Sequence, residues 1–215
     1  TDPNHFYQKV QTNIPLPPEA DKNIIRLFHS AGDIIAVSNN GVFRYSNGKW
    51  SGKATHDHWL LAATDTHNKL WLASQKAIQS EAGKIIPLPN EAQRDTLQCL
   101  YLENNQSLHL GTSNGLYTWN GSWTQQPQLK GISVKDIVTD ARQRLWVATH
   151  NGLWCREDGK WVNLDETLMA EGNLHTYFTL ATHNNGADLI FSSPLSVGCI
   201  AANGDHWVWS SANGL

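Results

Sequence analysis

Two histidines flank an aspartate in the most reactive-looking triplet of the sequence, His56-Asp57-His58. Alternate residues of an extended segment point to the same side, so both imidazoles could reach one metal ion or anion. The sequence does not identify a third ligand, and two histidines alone make a weak metal site. We therefore predict no metal site and no cofactor, and we keep only His58 as a ligand-binding candidate.

Three acidic residues recur at regular intervals: Asp65, Glu103 and Asp140. Paired carboxylates are the groups that cleave glycosidic bonds. Regular spacing instead indicates that each acid has the same structural task, which we predict to be the capping of a tight turn. The sequence also contains no nucleophile elbow, phosphate-binding loop or Cys-x-x-Cys pair. No catalytic residue is assigned.

Four polar residues recur with a similar period: Asn39, Gln75, Ser113 and His150. Polar groups supplied by successive repeats can converge on one small ligand. Alternatively, they satisfy the backbone groups of the turns in which they lie. Both interpretations require a repeated structural element that gives the four residues equivalent positions.

That element is a unit of four short strands. Residues that open its second strand recur at steps of 36, 38, 37 and 44 residues: Ile34, Leu70, Leu108, Leu145 and Leu189. Dipeptides such as Asn151-Gly152 and Asp158-Gly159 predict type I′ hairpin turns, in which both central residues have positive φ. A period of about 40 residues with four strands per unit is typical of β-propeller blades. One blade cannot bury both faces of its sheet, so neighbouring blades must pack on one another.

The segment from Asp140 to Leu153, with Leu145-Trp-Val-Ala-Thr149 at its centre, resembles the two-component regulator propeller repeat. The core of that repeat reads roughly D-x-x-G-x-LW-[VI]-G-T-x-x-GL. The segment from Leu108 to Leu116 is similar, and Leu70-Trp-Leu-Ala-Ser74 is a weaker copy. The first and fifth units keep only the apolar pattern and the turns. These motif residues are structural, so the resemblance implies a fold more than a function.

The predicted fold is an all-β propeller of four-stranded antiparallel blades, with about five blades in this chain as part of a larger propeller of seven or more. We treat residues 1–215 as a single propeller domain or propeller fragment, with repeat units near 24–58, 59–96, 97–133, 134–176 and 177–215. The segment from His5 to Val10 is predicted to be an additional outer strand. A five-bladed ring with one surplus outer strand is the alternative.

The longest step reflects an insert of about seven residues, which we place within residues 165–175, between the fourth and fifth units. In a propeller, this connection and the turn between the second and third strands emerge on the same face. Loops on a rigid scaffold usually carry the binding groups. We therefore predict a ligand-binding face, with Trp59 as a platform for a sugar ring. Its candidate residues are His58, Trp59, Asn39, Gln75, Ser113, His150 and His175.

Composition narrows the choice of partners. Charged residues make up 16% of the chain, the formal net charge is −3, and no basic patch stands out, so we expect no nucleic-acid partner. No apolar stretch reaches the length of about 18 residues that a membrane span needs. We interpret the periodic indoles Trp50, Trp123, Trp161 and Trp207 as packing residues.

Cysteine usage predicts no internal disulfide. The three cysteines are Cys99, Cys155 and Cys199, an odd number, and the last two lie at equivalent positions of successive units. Such positions should lie farther apart than the Cα separation of about 7 Å that a disulfide tolerates. We expect all three to act as small buried hydrophobic residues.

The resemblance implies a periplasmic or extracellular sensor domain of a two-component system that binds an oligosaccharide or another small ligand, with a homodimer as one expected assembly. The alternative is a propeller-fold carbohydrate-active enzyme, either a polysaccharide lyase or a glycoside hydrolase. A protein-interaction scaffold is the third hypothesis. No kinase or DNA-binding segment is recognisable within residues 1–215, so a signalling output would lie outside them.

Overall fold

The computed structural model describes residues 15–30, 32–55, 57–103, 107–164, 176–183 and 185–210. Their strands form five four-stranded antiparallel sheets, each in sequential strand order, which we number blades 1 to 5. Blade 1 comprises β1 to β4: Ile24–Ser30, Asp33–Ser38, Gly41–Ser46 and Lys49–Ala54. Blade 2 comprises β5 to β8: Leu61–Thr64, Leu70–Ala73, Ala77–Ser80 and Ile85–Pro87. Blade 3 comprises β9 to β12: Leu97–Leu102, Leu108–Thr112, Gly115–Trp119 and Trp123–Gln125.

The last two blades repeat this pattern. Blade 4 comprises β13 to β16: Val134–Thr139, Leu145–Thr149, Gly152–Glu157 and Lys160–Asn163. Blade 5 comprises β17 to β20: Thr179–His183, Asp188–Ser192, Ser196–Ile200 and His206–Ser210. Two 3₁₀ turns, Ala92–Arg94 and Pro127–Leu129, lie in the connections that follow blades 2 and 3. The predicted all-β blade architecture is confirmed. The predicted outer strand His5–Val10 and the insert at 165–175 lie outside the described residues.

Two of the predicted type I′ turns have the required backbone conformation. Asn47 and Gly48 have φ of 50° and 79°, and Asp158 and Gly159 have φ of 50° and 75°, as type I′ turns require. The prediction for Asn151-Gly152 is wrong, because Asn151 is not in the left-handed region. The two-residue loop is His150-Asn151, and Gly152, with φ of 112°, is already the first residue of β15.

The chain forms two compact units, residues 1–57 with blade 1 and residues 58–215 with blades 2 to 5. In the second unit, the first strands of consecutive blades lie beside one another. Each adjacent pair of blades encloses an apolar core, built around Leu110 between blades 2 and 3, Val147 between blades 3 and 4, and Phe191 between blades 4 and 5. Packing of one blade on the next is therefore what buries the apolar faces, as the repeat requires.

The indoles occupy three kinds of position. Trp71 and Trp146, on the second strands, are 8% and 1% exposed and belong to the inter-blade cores. Trp123 lies on the fourth strand of blade 3, and its Nε1 donates to the Pro87 carbonyl of blade 2 at 2.7 Å. The predicted packing role is wrong for Trp207, which is 39% exposed. The hairpin before it contains one extra residue, so His206 takes the equivalent register position and Trp207 points to the opposite face of the sheet.

Free thiols are confirmed at all three cysteines, but their exposure differs. Cys155 and Cys199 are buried, whereas Cys99 is partly exposed. Burial raises the pKa of the Cys155 thiol from 9.0 to about 12 and also raises that of Cys199. The thiolate is the form that reacts with alkylating agents. These two thiols are therefore protected in two ways, because they are buried and because they stay protonated.

We expect iodoacetamide at about pH 8 to alkylate Cys99 first in the folded protein and Cys155 much more slowly, because the Cys155 thiol is buried and its raised pKa leaves a smaller thiolate fraction. Peptide mapping by mass spectrometry after timed quenching gives the three rates. Urea-unfolded protein is the control, in which all three cysteines should react alike. Folded-state labelling of Cys155 as fast as that of Cys99 would contradict its burial.

Candidate functional site

Strand direction alternates within each blade, so the turns divide between two ends of the sheet. The turn between the second and third strands and the connection to the next blade share one end, which we call the loop end. In blades 2 to 4 this end carries turns 74–76, 113–114 and 150–151 and connections 88–96 and 126–133. The turns between the first and second and between the third and fourth strands lie at the opposite end. The predicted binding residues Gln75, Ser113 and His150 all lie at the loop end.

Three of the predicted polar side chains accept a hydrogen bond from the residue that directly precedes the first strand of their own blade. The Asn39 Oδ1 accepts a hydrogen bond from the Asn23 side chain at 2.6 Å. The Ser113 Oγ accepts from the Thr96 backbone N–H at 3.1 Å. The His150 Nδ1 accepts from the Ser133 backbone N–H at 2.9 Å. The recurring polar positions therefore fasten each turn to the strand entry beside it.

Gln75 departs from this pattern. Its Nε2 donates to the carbonyls of Gln93 and Asp95, both at 2.8 Å, and so fixes the connection that leads from blade 2 into blade 3. Among Gln75, Ser113 and His150, all of them described, no hydrogen bond joins one to another. The His150 ring and the Ser113 side chain are both exposed to solvent, whereas Gln75 is partly buried.

The remaining predicted binding residues have different environments. His58 is exposed, whereas Trp59 is 6% exposed and lies in the core. The prediction of Trp59 as an open platform needs correction, because its ring face is covered by protein. Its position after a polar loop suggested exposure, but it occupies a repeat position that holds a buried Leu97 or Val134 in later blades. His175 and His56 lie outside the described residues.

Asp65 and Asp140 lie at the opposite end of the blades and cap turns as predicted, whereas the Glu103 carboxylate bonds to His109 and Arg156. The Asp140 Oδ1 accepts from the backbone N–H groups of Arg142 and Arg144 at 2.9 and 3.0 Å. Its Oδ2 accepts from the Trp146 indole at 2.9 Å and from the Arg144 guanidinium at 2.7 Å. Burial alone would raise the pKa of Asp140, but these hydrogen bonds outweigh it and lower the pKa below 3.8. Asp65 makes the same two turn bonds, to His67 and Lys69.

Blade 3 replaces the aspartate–tryptophan pair with Glu103 and His109. The His109 ring is fully buried, with Nε2 at 2.9 Å from Glu103 Oε2 and Nδ1 at 3.0 Å from Thr118 Oγ1. Arg156 of blade 4 donates to the other Glu103 oxygen at 3.0 Å. The His109 hydrogen bond lowers the pKa of Glu103, so the carboxylate is ionised at neutral pH. Both histidine nitrogens are occupied, which indicates a structural role.

A cleft at the loop end was not predicted from the sequence. Its volume is about 280 Å³, and it lies between the connection after blade 2 and the outer strands of blade 3. The cleft is lined by Pro89, Glu91, Tyr117, Trp123, Gln125 and Lys130. Pro89 and Glu91 come from the connection, Tyr117 from β11, Trp123 and Gln125 from β12, and Lys130 from the residues after the second 3₁₀ turn. The cleft therefore brings together residues from four elements of the chain.

Neutral hydrogen-bonding groups form the inner part of the cleft. The Gln125 Nε2 donates to the Asn114 carbonyl and to the Tyr117 hydroxyl oxygen, both at 3.2 Å. Tyr117 is 3% exposed. Burial, together with the negative charges of Asp95 and Glu91, raises the pKa of Tyr117 to about 12. Its hydroxyl therefore stays protonated across the physiological range.

Sequence reasoning missed this cleft because no spacing connects its members. Trp123 recurs with the period of the blades, which indicated packing alone. Gln125 and Lys130 flank the Pro127–Leu129 turn, and that turn is what brings Lys130 back beside β12. The available signal was a single proline in each connection, Pro89 and Pro127, which restricts the backbone at that point.

The chain matches no protein-family profile and no curated protein sequence. Solved structures do share its fold. The extracellular domain of a B. thetaiotaomicron protein described as hybrid two component system BT3049 has a TM-score of 0.68 at 16% identity, over 93% of this chain and 30% of its own. The extracellular domain described as one component system BT4673, from the same organism, has a TM-score of 0.67 at 14% identity, over 87% of this chain and 31% of its own.

An enzyme is also among the neighbours. A catalytically inactive virginiamycin B lyase from Staphylococcus aureus, solved with quinupristin, has a TM-score of 0.68 at 16% identity, over 90% of this chain and 72% of its own.

The chain spans about a third of the length of the two B. thetaiotaomicron domains. The neighbours confirm the propeller fold and, at the level of that fold, the resemblance to two-component sensor propellers.

The described residues include no helix with the length and apolar character that a membrane crossing requires.

Proposed function

We propose that this chain is part of the extracytoplasmic, ligand-binding propeller of a two-component regulatory sensor, located in the periplasm or outside the cell, and that it recognises an oligosaccharide. The observation that carries the proposal is the agreement between two independent resemblances. The repeat in blade 4 is similar to the two-component regulator propeller motif, and the fold is shared with extracellular domains described as one- and two-component systems.

The arrangement at the loop end supports a binding role. Side chains such as Gln75 and His150 fix the connections against the turns, so the loops have defined conformations before any ligand arrives. Preorganised loops reduce the entropy lost on binding. A rigid rim of this kind can transmit occupancy to a partner subunit or to a membrane-proximal segment as a change in contacts.

We expect the protein to bind at least one member of a panel of neutral and acidic oligosaccharides in isothermal titration calorimetry. The His150→Ala variant should bind that member about threefold to tenfold more weakly, because the exposed imidazole can donate or accept one hydrogen bond. The Asn47→Ala variant, at the opposite end of blade 1, serves as the control and should bind as the parent does. Absence of binding to every member would contradict the oligosaccharide proposal.

An enzyme is the second candidate, because a virginiamycin B lyase shares the fold over 72% of its own length. The enzyme class expected from the sequence is a carbohydrate-active one, either a polysaccharide lyase or a glycoside hydrolase. Incubation with polyuronate and neutral polysaccharides, followed by chromatography of the products, distinguishes the two. Shortened chains, with unsaturated ends for a lyase or new reducing ends for a hydrolase, would replace the sensor proposal. If the protein neither binds nor cleaves any of these saccharides, that result would favour a protein-interaction scaffold.

A further inference from the structure

We propose that the cleft lined by Pro89, Glu91, Tyr117, Trp123, Gln125 and Lys130 binds one ring of a neutral saccharide. This inference rests on the proposed oligosaccharide-binding function and names its site. The site lies at the loop end, between the connection after blade 2 and the outer strands of blade 3, and Gln125 links it to the 113–114 turn.

The indole of Trp123 is held in a fixed orientation. Its Nε1 donates to the Pro87 carbonyl at 2.7 Å, and the Trp119 ring packs against it at a centroid distance of 5.4 Å and an angle of 60°. The indole is half-buried and lines the cleft together with the Pro89 ring. A rigid apolar surface of this kind can pack against the C–H face of a sugar ring. The C–H groups of that face need no hydrogen-bond partners when they are buried.

The inner polar groups match the hydroxyl groups of a sugar. The Tyr117 oxygen accepts from Gln125, so the hydroxyl proton of Tyr117 remains available to a ligand acceptor. Among the residues that the structure describes, the Gln125 Oε1 has no hydrogen-bond donor, so it can accept from a ligand hydroxyl. One donor and one acceptor side by side complement a hydroxyl group, which both donates and accepts.

The charged residues at the rim explain why the ligand should be neutral. Glu91 and Lys130 are both exposed, and neither forms an ion pair with any residue in the described part of the chain. Their charges cancel, so the cleft has no net attraction for a polyanion. As single groups, a carboxylate accepts from two hydroxyls and an ammonium donates to several, so both can bind hydroxyl groups of the same ring.

The size of the cleft limits the occupant. A volume of about 280 Å³ lies just below the range of about 300–1,000 Å³ that is typical of drug-sized ligands. One ring therefore fits, and the cleft is open to solvent, so the rest of an oligosaccharide would extend along the surface from that ring.

The test is calorimetric titration of the full chain with neutral disaccharides (cellobiose, maltose, mannobiose and xylobiose) and with digalacturonate as the acidic comparison. We expect at least one neutral disaccharide to bind and digalacturonate not to bind. The Tyr117→Phe variant removes one hydroxyl and should weaken binding about tenfold, the effect of one hydrogen bond to a ligand. Glu91→Gln and Lys130→Ala should each weaken it about threefold to tenfold.

Lys160→Ala is the matched control, because Lys160 is an exposed lysine at the opposite end of neighbouring blade 4. Thermal unfolding of every variant checks folding, and the exposed Glu91 and Lys130 variants keep the test valid if Tyr117→Phe is destabilised. Unchanged affinity in all three cleft variants, with a ligand that binds the parent, overturns the cleft but leaves the proposed function standing. Binding of digalacturonate alone overturns the neutral-sugar inference. Binding of no saccharide overturns both.

Discussion

Replacing Gly152 by valine should lower the free energy of unfolding by about 3 kcal/mol, because a β-branched residue is strongly disfavoured in the left-handed backbone region. Gly152 has φ of 112° as the first residue of β15. A Cβ atom at this position would also lie 2.7 Å from the Asn163 Nδ2 and 2.9 Å from its Cγ. The urea midpoint of parent and variant, followed by circular dichroism, measures the loss.

Ser196→Val is the matched control, since Ser196 opens β19 at the equivalent place in blade 5 without positive φ. Its expected cost is about 1 kcal/mol, from the lost hydrogen bond with the Ser193 hydroxyl. A second Asn163→Ala change in the Gly152→Val background removes the steric clash and should recover only part of the loss, leaving the backbone strain. Equal midpoints for Gly152→Val and Ser196→Val would refute the backbone assignment.

The Asp140→Ala variant should lose about 3–4 kcal/mol of stability, as expected when a buried, multiply hydrogen-bonded carboxylate is removed. Asp140 is 4% exposed and holds its own turn, the Trp146 indole and the Arg144 guanidinium. Its removal leaves the buried indole N–H of Trp146 without an acceptor. Asp65→Ala is the matched comparison and should cost less, because Asp65 is less buried and its indole partner Trp71 lies 3.5 Å away.

The same carboxylate makes a testable contribution to acid sensitivity. Because folding lowers the pKa of Asp140 below its ordinary value of 3.8, the stabilisation is fully present above that value and is lost as the pH falls through the folded-state pKa. The difference in unfolding free energy between parent and Asp140→Asn should therefore shrink on acidification below about pH 4. A difference that stays constant down to pH 2 would show that the charge of Asp140 does not contribute.

Much of the fold was predictable because the blades repeat local chemistry. The positive φ of Asn47 and Asp158 follows from the preference of Asn-Gly and Asp-Gly for type I′ turns. The predicted type I′ turn at Asn151-Gly152 was wrong, because a glycine with positive φ can also begin a strand after a two-residue loop. The prediction that Trp207 is buried was wrong for a related reason. One extra residue in a hairpin reverses the face of the sheet that each later side chain occupies.

The candidate site was less predictable than the fold. Recurrence placed Ser113 and His150 correctly at the loop end, but spacing cannot tell whether a polar side chain turns outward or bonds to the neighbouring backbone. The cleft around Tyr117 depends on how two connections pack against the outer strands. Such contacts join residues of no common period, so they emerge only from tertiary structure.

The Glu103–Arg156 ion pair affects how a chain of look-alike blades reaches its native order. Tandem units are prone to docking on the wrong neighbour during folding. If blade 4 docked on blade 2 instead, Arg156 would meet the shorter Asp65 side chain, whose Oδ1 already accepts from two N–H groups of its own turn and whose Oδ2 accepts from Trp71. The guanidinium would then share an oxygen with the Trp71 indole, whereas Glu103 offers it Oε1 while Oε2 bonds to His109. Blade 3 has Glu103 and His109 where blades 2 and 4 have an aspartate and a tryptophan. Blade 3 therefore offers Arg156 a different partner from the other two blades, which favours docking of blade 4 on blade 3.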